Sequence, residues 1–181
     1  MSAVITELAD VLTVTAEAVR PEQLEARTPC TDFTVGRLLD HLASFLARSQ
    51  GAARKIPQPW PAGGSDPASV AAAARTVGAV WQTPGALVGT TDLGFGPVPA
   101  DLAVLITVQE LGLHGWDLAV ATGSPYRLSK PAGQAVLEAV EGFAAGARAS
   151  GSYGPPLHLS PNAPALQRAL GTSGRSPSWA R

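Results

Sequence analysis

In the stretch ELGLHGWD a glutamate stands four residues ahead of a histidine, Glu110 before His114. On an α-helix such positions share one face about one turn apart, so a carboxylate and an imidazole there can converge on one divalent cation. The spacing alone is weak. With 14 acidic residues and 3 histidines in 181 positions, about one chain in four or five shows such a pair by accident, and the two residues alone read as a solvated helical pair. A second histidine, His41, lies within the apolar stripe of VGRLLDHLASFL. Alone, it reads as a core histidine bonded to a backbone carbonyl. Together, His41 on one helix and Glu110 and His114 on another give two imidazoles and a carboxylate on inward faces. That donor set suits a borderline cation such as zinc and leaves a coordination position for water or substrate. Asp117, one turn beyond His114, either accepts the ring N–H of that histidine and fixes its tautomer or is a polar helix-end residue.

The elements that must position these residues follow from periodicity and end signals. A first helix is expected from about Ala3 to Val19, before Pro21. Thr34 can cap a second that runs through His41 to about Lys55. After the Pro/Gly-rich IPQPWPAGGS, Asp66 and Pro67 open a third through Trp81. The stretch TTDLGFGPVPA reads as an irregular connection with a short extended piece. A long helix follows from about Pro99 to Ala121, with Gly123 as its C-terminal cap. Ser129, Lys130 and Pro131 begin a further helix through Phe143, YGPPLHLS reads as a short strand, and Asn162 starts a last helix of one to two turns. The fold class is all-α: an antiparallel bundle of four principal helices with short additional C-terminal elements, one domain over 1–181.

Composition narrows the function. The formal charge is -1 and the arginines are spread along the chain, so neither charge balance nor patterning suggests a nucleic-acid partner. The start MSAVITELAD lacks a basic leader, and no apolar run approaches the ~18 residues of a membrane span. The expectation is a soluble cytoplasmic protein with a small-molecule substrate, no nucleic-acid or membrane partner, and an open oligomeric state, a homodimer included. The single cysteine, Cys30, excludes an internal disulfide and a cysteine-rich zinc site, and reads as a small buried side chain rather than a catalytic thiol. His158, between two leucines with no acid at helical spacing, is left out of the site, and Trp116 is assigned to the core. The loops 51–66 and 83–99 are expected to wall any pocket.

Four stretches, RTPCTDFTVGRLLDHL, ELGLHGWDLAVATG, YGPPLHLS and LGTSGRSPSW, resemble the DinB-like metal-binding helical bundles, in the branch related to the N-terminal domain of mycothiol-dependent maleylpyruvate isomerase. The resemblance implies one divalent metal, usually zinc, with Ni2+ or Fe2+ also compatible, on His41, Glu110 and His114. It also implies a thiol S-transferase chemistry in which a metal-bound low-molecular-weight thiol, mycothiol, attacks an electrophile. No protein cysteine is then needed, because the cation deprotonates the thiol. Maleylpyruvate isomerase has a further C-terminal domain that helps form its active site, whereas this sequence continues only as a short tail, so another thiol transfer is expected. Two alternatives remain: a Lewis-acid hydrolase, lyase or cyclase of secondary metabolism using the same metal, and a non-catalytic metal-binding bundle.

Overall fold

A computed structural model describes residues 1–56, 58 and 64–180. Over the described residues the chain is mostly helical, with one small hairpin. The helices are α1 (Ser2–Glu17), α2 (Val35–Arg54), α3 (Pro67–Val80), α4 (Ala100–Thr122), α5 (Lys130–Ala149) and α6 (Ala165–Thr172), and a single 3-10 turn spans Pro21–Gln23. Their starts follow local chemistry. Asp66 accepts the Ser69 N–H at 3.0 Å and Ser129 accepts the Ala132 N–H at 3.2 Å, each with a proline in the first turn behind it. Thr34 caps α2 more loosely, at 3.4 Å from the Arg37 nitrogen. Gly123, at φ 76°, ends α4 in the left-handed conformation that glycine adopts without a Cβ penalty.

Helix α1 packs on α3 and α4, and α2 on the same two, so the first four helices form a closed ring of contacts. Helix α5 lies against α4 and α1, and α6 against α5. One buried cluster, from Ile5 to Leu170, runs through all of them. Helix α4 is apolar on nearly every side because it is enclosed by α1, α2 and α5. Gly112 lets α5 approach, since a Cβ there would lie 2.6 Å from a methyl of Val136. Pairings of His41 with Glu110 and of Ser49 with Thr107 show that α2 and α4 run antiparallel.

Four expectations need correction. The extended piece in TTDLGFGPVPA is a complete hairpin, β1 (Thr90–Asp92) paired antiparallel with β2 (Pro97–Pro99). Its turn is held by the Asp92 carboxylate, which accepts the N–H groups of Gly94, Phe95 and Gly96. The stretch YGPPLHLS forms no strand: Pro155 and Pro156 have no N–H to offer a ladder, and its backbone bonds to other segments run singly, from the Tyr153 N–H to the Ala147 carbonyl and from the Leu157 N–H to the Gly171 carbonyl. The last helix begins at Ala165, just after Pro164, rather than at Asn162. Beyond α4 the chain holds more than short additions, for α5 alone has 20 residues.

Candidate metal centre

His41 lies in the second turn of α2, Glu110 lies at the middle of α4 and His114 one turn further on; the antiparallel packing brings them together. Their donor atoms all fall within 4.8 Å of one another. His41 Nε2 is 2.9 Å from Glu110 Oε2, and His114 Nε2 is 3.7 Å from the same oxygen. Donors of a tetrahedral ion with bonds of about 2.0–2.2 Å stand roughly 3.4 Å apart, so the two distances bracket what a cation requires. The carboxylate only accepts, so His41 Nε2 donates in its short contact, and a cation entering there replaces that hydrogen. Phe33 covers the imidazoles, with its ring centroid 5.1 Å from that of His41 and 6.0 Å from that of His114.

The orientation of His114 is set from behind. Its Nδ1 lies 2.9 Å from Asp117 Oδ2, and Asp117 is fully buried in the interior of α4 rather than at its end. Arg175, from the C-terminal segment, donates to the same carboxylate through Nε at 2.9 and 3.1 Å and through Nη2 at 2.8 Å. Burial by itself would raise the Asp117 carboxyl, but the Arg175 charge and the His114 contact outweigh it and hold it below the ordinary range. An ionised Asp117 can only accept, so Nδ1 of His114 donates to it, and Nε2 is the nitrogen turned toward Glu110. Burial also works against ionisation of Glu110, yet the hydrogen bond from His41 and the charges of His114, His41 and Arg175 hold it at about 2. The cluster thus runs in unbroken contact from His41 through Glu110, His114 and Asp117 to Arg175.

These groups open into a cavity of about 200 Å³. Its walls come from residues 30–33, from α2 and α4, and from Ser152, Tyr153 and Arg175; none of its described lining falls in 51–66 or 83–99. Helix length explains the correction. Arg54, where α2 ends, is 13 residues beyond His41, or roughly 20 Å along the axis. The hairpin likewise precedes α4 by its other end. Residues 57 and 59–63 of the first loop lie outside the described residues.

Cys30 lines this cavity and is only partly buried. Its sulfur belongs to a second possible donor group with His114 and Asp117. That group fits a cation poorly, because the Asp117 carboxylate is already taken by Arg175 and by His114 Nδ1. Burial, then the Asp117 charge, pushes the thiol up, so it stays protonated at neutral pH. His158 is exposed and outside the cavity lining, and Trp116 is buried. Residue-by-residue reading assigned no role to Phe33, Gln109, Tyr153 or Arg175. A signal for three of them was present: Phe33 lies in RTPCTDFTVGRLLDHL, Tyr153 opens YGPPLHLS and Arg175 lies in LGTSGRSPSW. The backbone there is specialised. Gly174 has φ 83°, and a Cβ on it would lie 2.8 Å from the Gly154 Cα, so the two loops cross with backbones in contact, and Tyr153 and Arg175 are the residues next to the two glycines.

Fold and cluster define a helical protein with a His/Glu/His group at the base of an open cavity. Residues 5–69 match the family described as the mycothiol maleylpyruvate isomerase N-terminal domain, the family that its motifs resemble. The matched stretch includes His41. Two uncharacterized proteins of Mycobacterium tuberculosis, from strains CDC 1551 / Oshkosh and ATCC 25618 / H37Rv, are each 33% identical over 106 residues, covering 58% of this chain. The chain spans 58% of the length of each of these curated relatives. No solved structure matches it.

Proposed function

We propose that this protein is a metal-dependent thiol S-transferase on a DinB-like four-helix bundle formed by α1–α4. It joins a low-molecular-weight thiol, mycothiol, to an electrophilic small molecule in the cytoplasm. The observation that carries this reading is the convergence of His41, Glu110 and His114 at the base of an open cavity, within a chain whose first third matches a mycothiol-related family.

Two imidazoles and a carboxylate suit Zn2+, and the cation supplies the charge that lowers a coordinated thiol's pKa from its usual ~8.5. The chain's own groups do the rest. Asp117, held by Arg175, keeps the proton on His114 Nδ1 so that Nε2 faces the cavity. Glu110 brings one negative charge, which retains a dication while leaving it net positive. Phe33 shields the imidazoles from water on one side. Cys30, protonated and set back, does not compete as a nucleophile.

Elemental analysis of the purified protein, followed by thiol consumption with mycothiol, bacillithiol and glutathione against a common electrophile, tests the reading. One metal ion per chain is expected, with mycothiol consumed fastest and the rate near its plateau at pH 7. A rate that is equal with and without metal, or that rises tenfold per pH unit from pH 6 to 8, would sink it.

A further inference from the structure

The C-terminal segment 173–180 is tied to the body of the fold at one polar point. Its backbone N–H groups bond back to α6 or within the segment: Ser173 to the Ala169 carbonyl, Gly174 to Gly171, Arg175 to Leu170 and Trp179 to Ser176. Ser173 Oγ also donates to the Leu170 carbonyl, and the hydroxyls of Ser176 and Ser178 pair with each other. Among the described residues, the only hydrogen bonds from this segment to an element other than α6 are those of Arg175 to Asp117, at 2.9, 3.1 and 2.8 Å. The remaining hold is apolar or steric, with Trp179 packed half-buried on the core and Gly174 lying on the Gly154 backbone.

That single tie ends on the metal-binding cluster. Asp117 Oδ2, which accepts from Arg175 Nη2 at 2.8 Å, is the same oxygen that lies 2.9 Å from His114 Nδ1. The other ring nitrogen of His114 is the one turned toward Glu110. The carboxylate thus orients the imidazole while the guanidinium fixes the carboxylate. Partners that orient a ligating histidine from behind raise its affinity for a cation, and their loss costs about 10–100-fold. Linkage makes the effect mutual: the factor by which a docked segment tightens cation binding is the factor by which a bound cation tightens docking.

We propose that the C-terminal segment is a strap locked by the cation: docking of Arg175 on Asp117 and binding of the ion at His41, Glu110 and His114 favour each other. This strap rests on the metal site of the reading above and not on its thiol chemistry. The like charges of ion and guanidinium are kept apart, because Asp117 stands between His114 and Arg175 and Glu110 accompanies the ion. Release of the strap opens the cavity. Arg175 is part of its wall, and Gly174 backs Gly154, which directly follows the wall residues Ser152 and Tyr153.

Trypsin reads the docking without reference to turnover. Cleavage after Arg175 requires that side chain, 7% exposed when docked, to leave Asp117 and enter the protease, so release of 176–181 follows the undocked population. Cleavage after Arg20, an exposed side chain, is the internal control. In the full chain, saturating Zn2+ should slow release of 176–181 about 10–100-fold and leave cleavage after Arg20 unchanged. By chelator competition, Arg175→Met should weaken Zn2+ binding by that same factor to within about threefold, and Arg175→Lys, which keeps the charge without the planar fork, should weaken it less. In Arg175→Lys, which trypsin still cuts, Zn2+ should slow release far less than in the wild type while still raising the melting temperature. Slowing of equal size in that variant would show that release follows global unfolding, and overturns the strap. Loaded wild-type protein that releases 176–181 as fast as metal-free protein overturns the strap and leaves the metal site standing. Protein that takes up no Zn2+ overturns the metal site and the strap together.

Discussion

Helices α2 and α4 meet at two polar clusters, built from the same two faces about two turns apart, that behave in opposite ways. In one, Trp81 Nε1 donates to Ser49 Oγ at 2.9 Å, Ser49 lies 3.1 Å from Thr107 Oγ1, and Thr107 donates to the Ala103 carbonyl at 2.9 Å. All three side chains are fully buried. Each hydroxyl gives one hydrogen and receives one, and the chain ends on a backbone oxygen. The other cluster is charged, is capped on one side by Arg175, and opens on the other into a cavity that His41, Glu110 and His114 line. Buried polar groups that satisfy one another hold helices in register; groups left with capacity facing a cavity are equipped to bind.

Substitutions can break this contrast in order of size. His114→Ala or His41→Ala should cost at least about 100-fold in zinc affinity, measured by competition with a chelator, whereas Ser49→Ala leaves it untouched. Equal losses from both clusters would erase the distinction. Arg175→Met should destabilise the fold by about 3–5 kcal/mol in urea denaturation, because it strips the buried Asp117 carboxylate of its guanidinium partner and leaves it only the His114 contact. Combining it with Asp117→Asn should recover part of that loss.

Acid separates the clusters without mutation. Glu110 is held at about 2 against an ordinary 4.5, with His41, His114 and Arg175 outweighing the opposing effect of burial. A depressed carboxyl stabilises the fold fully above its unfolded value and loses that contribution as pH falls through its folded value. Metal-free protein should therefore lose on the order of 2–3 kcal/mol from this residue between pH about 4.5 and 2. Glu110→Gln should flatten that part of the profile, and Ser49→Ala should leave its slope unchanged. The smallest effect expected is that of Ser49→Ala on stability. It should cost about 1–3 kcal/mol by stranding the Trp81 N–H, read by urea denaturation.

The helices were legible where local chemistry speaks: Thr34, Asp66 and Ser129 as caps, Gly123 as a stop, and the inward faces bearing His41, Glu110 and His114. Those residues sit on regular helices, so spacing translates into position. Tyr153 and Arg175 do not, because they reach the cavity through two loops whose crossing depends on Gly154 and Gly174, and no periodicity encodes such a crossing. The same limit explains the misplaced walls. Chain neighbours of α2 and α4 seemed the natural borders, yet His41 and the C-terminal end of α2 lie far apart along the axis. YGPPLHLS looked like a strand from its leucines, and its two prolines decided otherwise.

One turn of α4 carries two of the three donors, while the third is 69 residues away from Glu110. During folding, the local pair exists as soon as that turn is helical, whereas His41 arrives only after a long loop has closed at an entropic cost that grows with the logarithm of its length. A cation present from the start can therefore dock on α4 before the core is complete, and its gain on capturing the third donor falls on the docking of α2 against α4. Refolding in zinc should thus be faster than refolding without it, and His41→Ala should abolish most of that acceleration while leaving the early encounter intact.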